Sequence, residues 1–234
     1  AILSRVGKPT CFIVTDIDES TDPPTAWLSR TIVQQKAQDR LLDSLRPGDV
    51  IPARVTHLEP FGAFVDAGCG VPSLIGIENL SVSRICHPSD RLTVGQSILA
   101  AVRTVEPENR RISLTHRELL GTWAQNAALF SVGETVRGVV RSIEPYGVFI
   151  ELTPNLSGLA EPRADLRPGM AVSVYIKSIL PQRMKVKLTV IDVLSPYDAP
   201  TPPRYFITDG HIEEWTYTPA GCDKKTVQTI FRQE

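Results

Sequence analysis

The sequence predicts an all-β chain of two tandem five-stranded barrels joined by short helices, with a small hairpin and helix near its C-terminal end. Three observations predict it. Segments repeat at a spacing of 85 residues, apolar and polar residues alternate with the period of a strand inside each repeat, and the period becomes helical between the repeats. A length of 234 residues, above that of a typical single domain, suits two modules that each bury a core.

The repeat comes first. Pro47-Gly48-Asp49-Val50 through Glu59-Pro60-Phe61-Gly62-Ala63-Phe64-Val65-Asp66 returns as Val132-Gly133-Glu134-Thr135 through Glu144-Pro145-Tyr146-Gly147-Val148-Phe149-Ile150-Glu151. Gly48 thus matches Gly133, Gly62 matches Gly147 and Phe64 matches Phe149, all in one register. Within each copy, alternation such as Ile51-Pro52-Ala53-Arg54-Val55-Thr56 marks a strand with one buried face, and Glu-Pro followed by aromatic-Gly marks a turn. Further strands are expected near 72–77, 97–105 and 111–115, with counterparts near 157–160, 171–180 and 183–189. Five short strands per unit suit a small closed barrel.

Between the strands, Ile32, Val33, Ala37, Leu41 and Leu45 fall at helical spacing before Arg46-Pro47-Gly48. Leu119, Leu120, Trp123, Ala127 and Phe130 do the same in the second connector, although Gly121 costs about 1 kcal/mol of helix preference. Both stripes read as helix-to-barrel packing. The domain reading is therefore 1–30 as two strands of a partial repeat, 31–45 a linker helix, 46–117 a barrel and 118–131 a linker helix. Residues 132–194 are a second, diverged barrel, 195–203 a proline-rich linker and 204–234 a small hairpin and helix. Asp209-Gly210 is a type I′ hairpin signal between Arg204–Thr208 and His211–Tyr217, and Asp223 is a candidate cap for a helix to Phe231. Tyr205, Phe206, Trp215 and Tyr217 are expected to pack onto the second barrel.

Composition excludes several classes. No apolar run approaches the roughly 20 residues that span a bilayer, so no membrane partner is expected. Ala1-Ile2-Leu3-Ser4-Arg5 lacks the pattern of a secretory signal, which makes the cytoplasm the expected location. Cys11, Cys69, Cys86 and Cys222 lie too far apart in sequence for a zinc motif or disulfide framework, and no cofactor or metal is expected. There is no phosphate-binding glycine loop, nucleophile motif or metal-ligand cluster, so the chain is not expected to be an enzyme. Net charge is −1, so any attraction for phosphate must come from local clustering. Residues 132–195 carry eight Lys/Arg against six Asp/Glu, and the chain from 196 carries four against six.

The segment from Leu45 to Leu119 resembles an S1-type RNA-binding domain, the OB-fold family that occurs in tandem in bacterial ribosomal protein S1. The resemblance rests on Pro47-Gly48-Asp49-Val50, Phe61-Gly62-Ala63-Phe64-Val65, His87-Pro88-Ser89-Asp90, Val94-Gly95-Gln96 and Arg110-Arg111-Ile112-Ser113-Leu114-Thr115. Residues 130–190 resemble a second copy with a much shorter insertion between strands three and four. Residues 6–30 are similar to the last two strands of a third, which suits either an N-terminal truncation, consistent with Ala1, or a hairpin packed on the neighbouring barrel.

The resemblance implies single-stranded RNA, mRNA or rRNA, as partner, with weak sequence preference, and the small ribosomal subunit as a candidate site of action. It implies stacking of bases on Phe61 and Phe64, and on Tyr146 and Phe149. Three-residue spacing places such rings on opposite faces of a regular strand, so Gly62 and Gly147 are expected to mark a bulge or bend. Arg54, Arg110 and Arg111 in the first copy, and Arg141, Lys185 and Lys187 in the second, are the candidate phosphate contacts, with Arg103, Arg137 and Lys177 as further basic positions. The family's strand-three histidine is replaced by Gly76 and Glu161. Its acid and base are Glu106 and Arg111 in the first copy, Leu180 and Lys185 in the second. These departures make the second copy either the weaker binder or a binder of something else. Two alternatives remain: a protein-interaction module with a degenerate RNA site, and the RNA-holding part of a larger RNA-processing enzyme.

Overall fold

A computed structural model describes residues 10–194 and 202–231. Two strands open it, β1 (Ile13–Asp18) and β2 (Thr25–Ser29), paired antiparallel. Helix α1 (Arg30–Ser44) follows directly, its first turn satisfied by the Ser29 hydroxyl, which accepts from the Ile32 amide at 3.2 Å. No residue of α1 is fully buried. It lies on the first barrel through Leu41, Leu42 and Leu45 and is fastened by polar contacts, among them Gln34 Nε2 to the Gly70 carbonyl at 2.8 Å. The expected apolar stripe therefore docks only at its C-terminal end.

The first barrel comprises β3 (Val50–Glu59), β4 (Gly62–Asp66), β5 (Pro72–Gly76), β6 (Ser97–Glu106) and β7 (Arg111–Thr115). They close in the order β3-β4-β5-β7-β6, with β5 and β7 parallel and the other pairs antiparallel. This is the OB arrangement. Alternate side chains point inward, so Ala53, Val55, Ala63, Val65, Ile75, Val102 and Leu114 fill the interior. The second barrel repeats it with β8 (Thr135–Glu144), β9 (Gly147–Thr153), β10 (Leu156–Ala160), β11 (Ala171–Leu180) and β12 (Lys185–Val193), closed in the equivalent order. Both predicted barrels are present.

The second connector is not one helix. A short 3-10 turn at Arg117–Leu120 ends at Gly121, and α2 (Trp123–Ala127) restarts from a Thr122 cap. Gly121 has φ +84°, and a Cβ there would lie 2.5 Å from the Phe206 ring, so a side chain is excluded on two counts. The apolar stripe still packs: Leu119, Leu120, Trp123 and Ala127 are buried.

The C-terminal segment corrects the expected hairpin and helix. Around Asp209-Gly210 the backbone pairs with the first barrel instead of with itself: the Val50 amide donates to the Gly210 carbonyl at 3.0 Å and the Ile212 amide to the Gly48 carbonyl at 2.9 Å. The strand that follows, β13 (Glu214–Thr216), pairs with β14 (Gln228–Ile230), so the expected helix from Asp223 is replaced by a loop and a strand. Burial decides this outcome, since Trp215, Tyr217 and Phe231 are all covered and join one core with Leu119, Trp123 and the second barrel. The Tyr217 hydroxyl donates to the Asn155 carbonyl at 2.6 Å. The segment thus packs on both barrels, not on the second alone. The expected linker at 195–203 lies mostly outside the described residues.

The long β5–β6 connection of the first barrel, residues 77–96, reaches the second barrel. Arg91 is 6% exposed and places its guanidinium on Glu151, with Nη1 to Oε1 at 2.9 Å. Nearby, the Ser83 amide donates to the Pro154 carbonyl at 3.1 Å, and Asn155 accepts from the Val82 amide at 2.9 Å. His116, fully buried at the end of β7, bonds the Leu80 carbonyl through Nδ1 at 3.1 Å and the Tyr205 hydroxyl through Nε2 at 3.1 Å. The Tyr205 oxygen in turn accepts from the Leu99 amide at 3.0 Å. Burial pulls the His116 pKa down to about 4, so the ring is neutral at pH 7.

Candidate nucleic-acid interface

The outward face of β3, β4 and β5 carries the rings of the first barrel. Phe61 lies in the two-residue turn between Glu59 and Gly62, which pair with each other, and Phe64 lies on β4. Because Phe61 precedes the strand, it is released from strand alternation, and both rings reach one face without a bulge in β4. The expected bulge exists, but in the partner strand β3, between Val55 and His57. The glycine after the ring serves close approach instead: a Cβ on Gly62 would lie 2.4 Å from the Ile75 carbonyl oxygen, and one on Gly147 2.7 Å from that of Ala160.

The Phe61 ring, 56% exposed, stands edge-on to Phe64 with centroids 6.0 Å apart. A third ring was not expected. His57 lies over Phe64 at 6.4 Å with an interplanar angle of 30°, and its Nε2 is 2.6 Å from Glu59 Oε1. Regular alternation from Ala53 and Val55 points residue 57 into the core, and the bulge turns it outward while Leu58 packs inward. A polar residue at an inward position was the signal in the sequence. The second barrel keeps two rings, Tyr146 and Phe149, with centroids 6.1 Å apart, and has Ser142 opposite Phe149.

These residues decide the comparison with known proteins. The family model of the S1 RNA binding domain matches residues 44–117, the span of the first barrel and its rings. Residues 44–117 form an S1 RNA-binding domain. The small ribosomal subunit protein bS1 of Staphylococcus aureus is 32% identical over 190 residues, covering 74% of this chain and 48% of that protein. The protein of the same name from Staphylococcus saprophyticus is 30% identical over 193 residues with the same coverage. The chain spans about half the length of these curated relatives. Among solved structures, GSP13 of Bacillus subtilis is 27% identical, with a TM-score of 0.31, over 36% of this chain and 60% of that one.

Around the rings of the S1 domain, the row across the sheet runs Phe64, Leu74, Ser113, Thr104. In the second barrel the same row runs Phe149, Leu159, Lys187, Ser178. Lys187 thus replaces a serine two strands from a ring. One step along, Arg111 faces Glu106 in the S1 domain, whereas Lys185 faces Leu180. Arg111, Lys185 and Lys187 are exposed and have no side-chain hydrogen bond or ion pair among the described residues. Arg54 is also exposed, its Nε on the Gly95 carbonyl at 3.1 Å.

Two candidates lie elsewhere. Arg110 ion-pairs with Asp39 of α1 at 2.7 Å and binds Gln38, so it fastens the helix. Arg141 is buried against Glu151 at 2.9 Å and reaches Asp90 at 3.4 Å, so it belongs to the junction between the barrels. The 85-residue repeat does not report Asp39 or Asp90, which come from other segments, and although Glu151 lies within it, its match to Asp66 hides the role of an ion-pair partner.

At the strand-three position, both barrels present a carboxylate. A Cβ on Gly76 would meet Glu78 Oε1 at 2.6 Å, so Glu78 fills that place in the S1 domain. In the second barrel Glu161 stands there, ion-paired with Lys177 at 3.1 Å. Among the described residues, no three His, Cys, Asp or Glu side chains cluster to hold a metal, and no helix is long and apolar enough to cross a membrane.

Proposed function

We propose that the chain holds single-stranded RNA on the ring faces of both barrels and catalyses nothing. The observation that carries this reading is the set His57, Phe61 and Phe64 on one face of the S1 domain, the first two exposed and Phe64 half-buried, since stacking on such rings contributes about 1 to 3 kcal/mol per base and tolerates every sequence. Arg54 and Arg111 beside the first set, and Lys185 and Lys187 beside Tyr146 and Phe149, supply phosphate contacts. The names of the bacterial relatives support the small ribosomal subunit as the place of work, and we take mRNA or rRNA in the cytoplasm as the strand held there. Titration with single-stranded RNA homopolymers at low and physiological salt, with DNA of the same sequence as control, tests it. RNA affinity that falls steeply with salt is the expected result; no binding at low salt overturns the reading.

A further inference from the structure

The described C-terminal segment touches both barrels. On the S1 domain, the Phe61 carbonyl accepts from the Ile77 amide at 2.9 Å, which sets the ring turn against Ile77–Asn79. Arg117 reaches the Glu78 carbonyl through Nη1 at 3.4 Å and Thr229 Oγ1 of β14 through Nη2 at 3.0 Å. On the second barrel, the Asp223 amide donates to the Gln182 carbonyl at 3.2 Å, in the turn that leads from β11 into Lys185. Five residues separate Asp223 from Thr229, and Lys224 and Lys225 are the first two.

Lys224 and Lys225 are exposed, and their ammonium groups have no hydrogen bond or ion pair among the described residues. Across the Asp223–Gln182 contact lie Arg183, Lys185 and Lys187, exposed as well. On β13, β14 and the loop joining them the exposed carboxylates Glu214 and Asp223 match Lys224 and Lys225 in number, so the local excess of positive charge comes from adding Arg183, Lys185 and Lys187 across the contact. Such a cluster stands out in a chain of net charge −1. Its local field favours phosphate whatever the charge of the whole.

We infer that the loop at Lys224 and Lys225 is a phosphate-binding bridge, which carries one RNA strand from the Phe61 end of the S1 domain to Lys185 and Lys187 of the second barrel. The inference rests on the RNA-binding function proposed above. It predicts that the two lysines matter for a strand long enough to touch both barrels and are silent for one that fills a single barrel.

The test uses the full chain carrying Lys224→Ala and Lys225→Ala together, with the paired Lys→Arg variant as charge-retaining control. Two oligouridylate probes are titrated, one of about 5 nucleotides to fit a single barrel and one of about 20 to cover both. Each single-strand phosphate contact adds about 0.7 to the salt slope, so the alanine pair is expected to flatten the long probe's slope by about 1.4 and weaken its binding roughly tenfold. The short probe should be unaffected and the arginine pair should bind as the unaltered chain does. Unchanged long-probe affinity and slope, while Phe61→Ala with Phe64→Ala still removes binding, overturns the bridge and leaves the RNA reading standing. Equal weakening of both probes assigns the lysines to a single barrel and also overturns it. If the unaltered chain binds neither probe, the RNA reading falls and takes the bridge with it.

Discussion

The two barrels share a strand order, a bulge in the first strand and a two-residue turn that presents a ring, yet one residue of their second strands separates their uses. In the S1 domain that residue is Asp66, whose short carboxylate accepts the Gly68 and Gly70 amides at 2.8 and 2.9 Å and closes its own loop. Its counterpart, Glu151, is one methylene longer and accepts from Arg91 and Arg141 at the junction. The S1 domain in turn supplies the long insertion that carries Arg91, while the second barrel has only residues 161–170 in that place. One barrel displays three rings and extends an arm; the other displays two rings among lysines and receives it. A repeat therefore conserves backbone geometry while charge and contact length divide the labour.

That division can be broken in four ways, taken from the largest expected effect to the smallest. Replacing Phe61 and Phe64 together by alanine removes two stacking rings and is expected to cost about 4 kcal/mol of RNA affinity, with less lost on replacing Tyr146 and Phe149; fluorescence titration of the folded variants compares the two. Equal losses would contradict the unequal platforms. Glu151→Ala leaves Arg91 and Arg141 buried without their carboxylate, and is expected to lower stability by about 3 to 4 kcal/mol in denaturant unfolding. Asp66→Ala, which removes only loop contacts, should cost less.

Acid should weaken the S1 side. His116 is neutral when folded, with a pKa of about 4 against 6.5 when unfolded, so below pH 6.5 the unfolded chain takes up a proton that the folded chain refuses. The contribution is complete above 6.5 and is lost as pH falls towards 4, about 3 kcal/mol over that window, and unfolding midpoints at pH 7 and pH 4.5 measure it. His116→Gln should flatten that dependence. The smallest effect is expected from His57→Ala, about 1 kcal/mol of RNA affinity, recovered in His57→Phe. Loss in both variants would point to the Glu59 contact instead of the ring.

The sequence announced what repeats. Its 85-residue register, strand alternation and Glu-Pro-aromatic-Gly turn report the barrels and their four rings in that turn and on the strand after it, because each depends on local chemistry. His57 was hidden by a bulge, which inverts alternation and leaves only an out-of-place polar residue as its trace. Arg110 and Arg141 read as surface cations because Asp39 and Asp90 approach them from other segments, and because Glu151, on the strand next to Arg141, is turned to the junction by Arg91 of the other barrel. Asp209-Gly210 carried a strong turn signal, but Gly48 and Val50 offered its neighbours backbone partners, and burial of Trp215 and Tyr217 outweighed the local preference.

If both ring faces hold RNA as proposed, the junction built on Arg91 and Glu151 sets how fast a bound strand leaves. With the barrels held by a buried ion pair and backbone bonds through Ser83, the distance between their faces is set by the fold. A strand attached to one face meets the other at a high effective concentration, without an entropic search by a slack linker. Release then needs both faces to let go before either rebinds. Modest stacking at each site becomes long residence, and an RNA too short to cover the gap gains none of it.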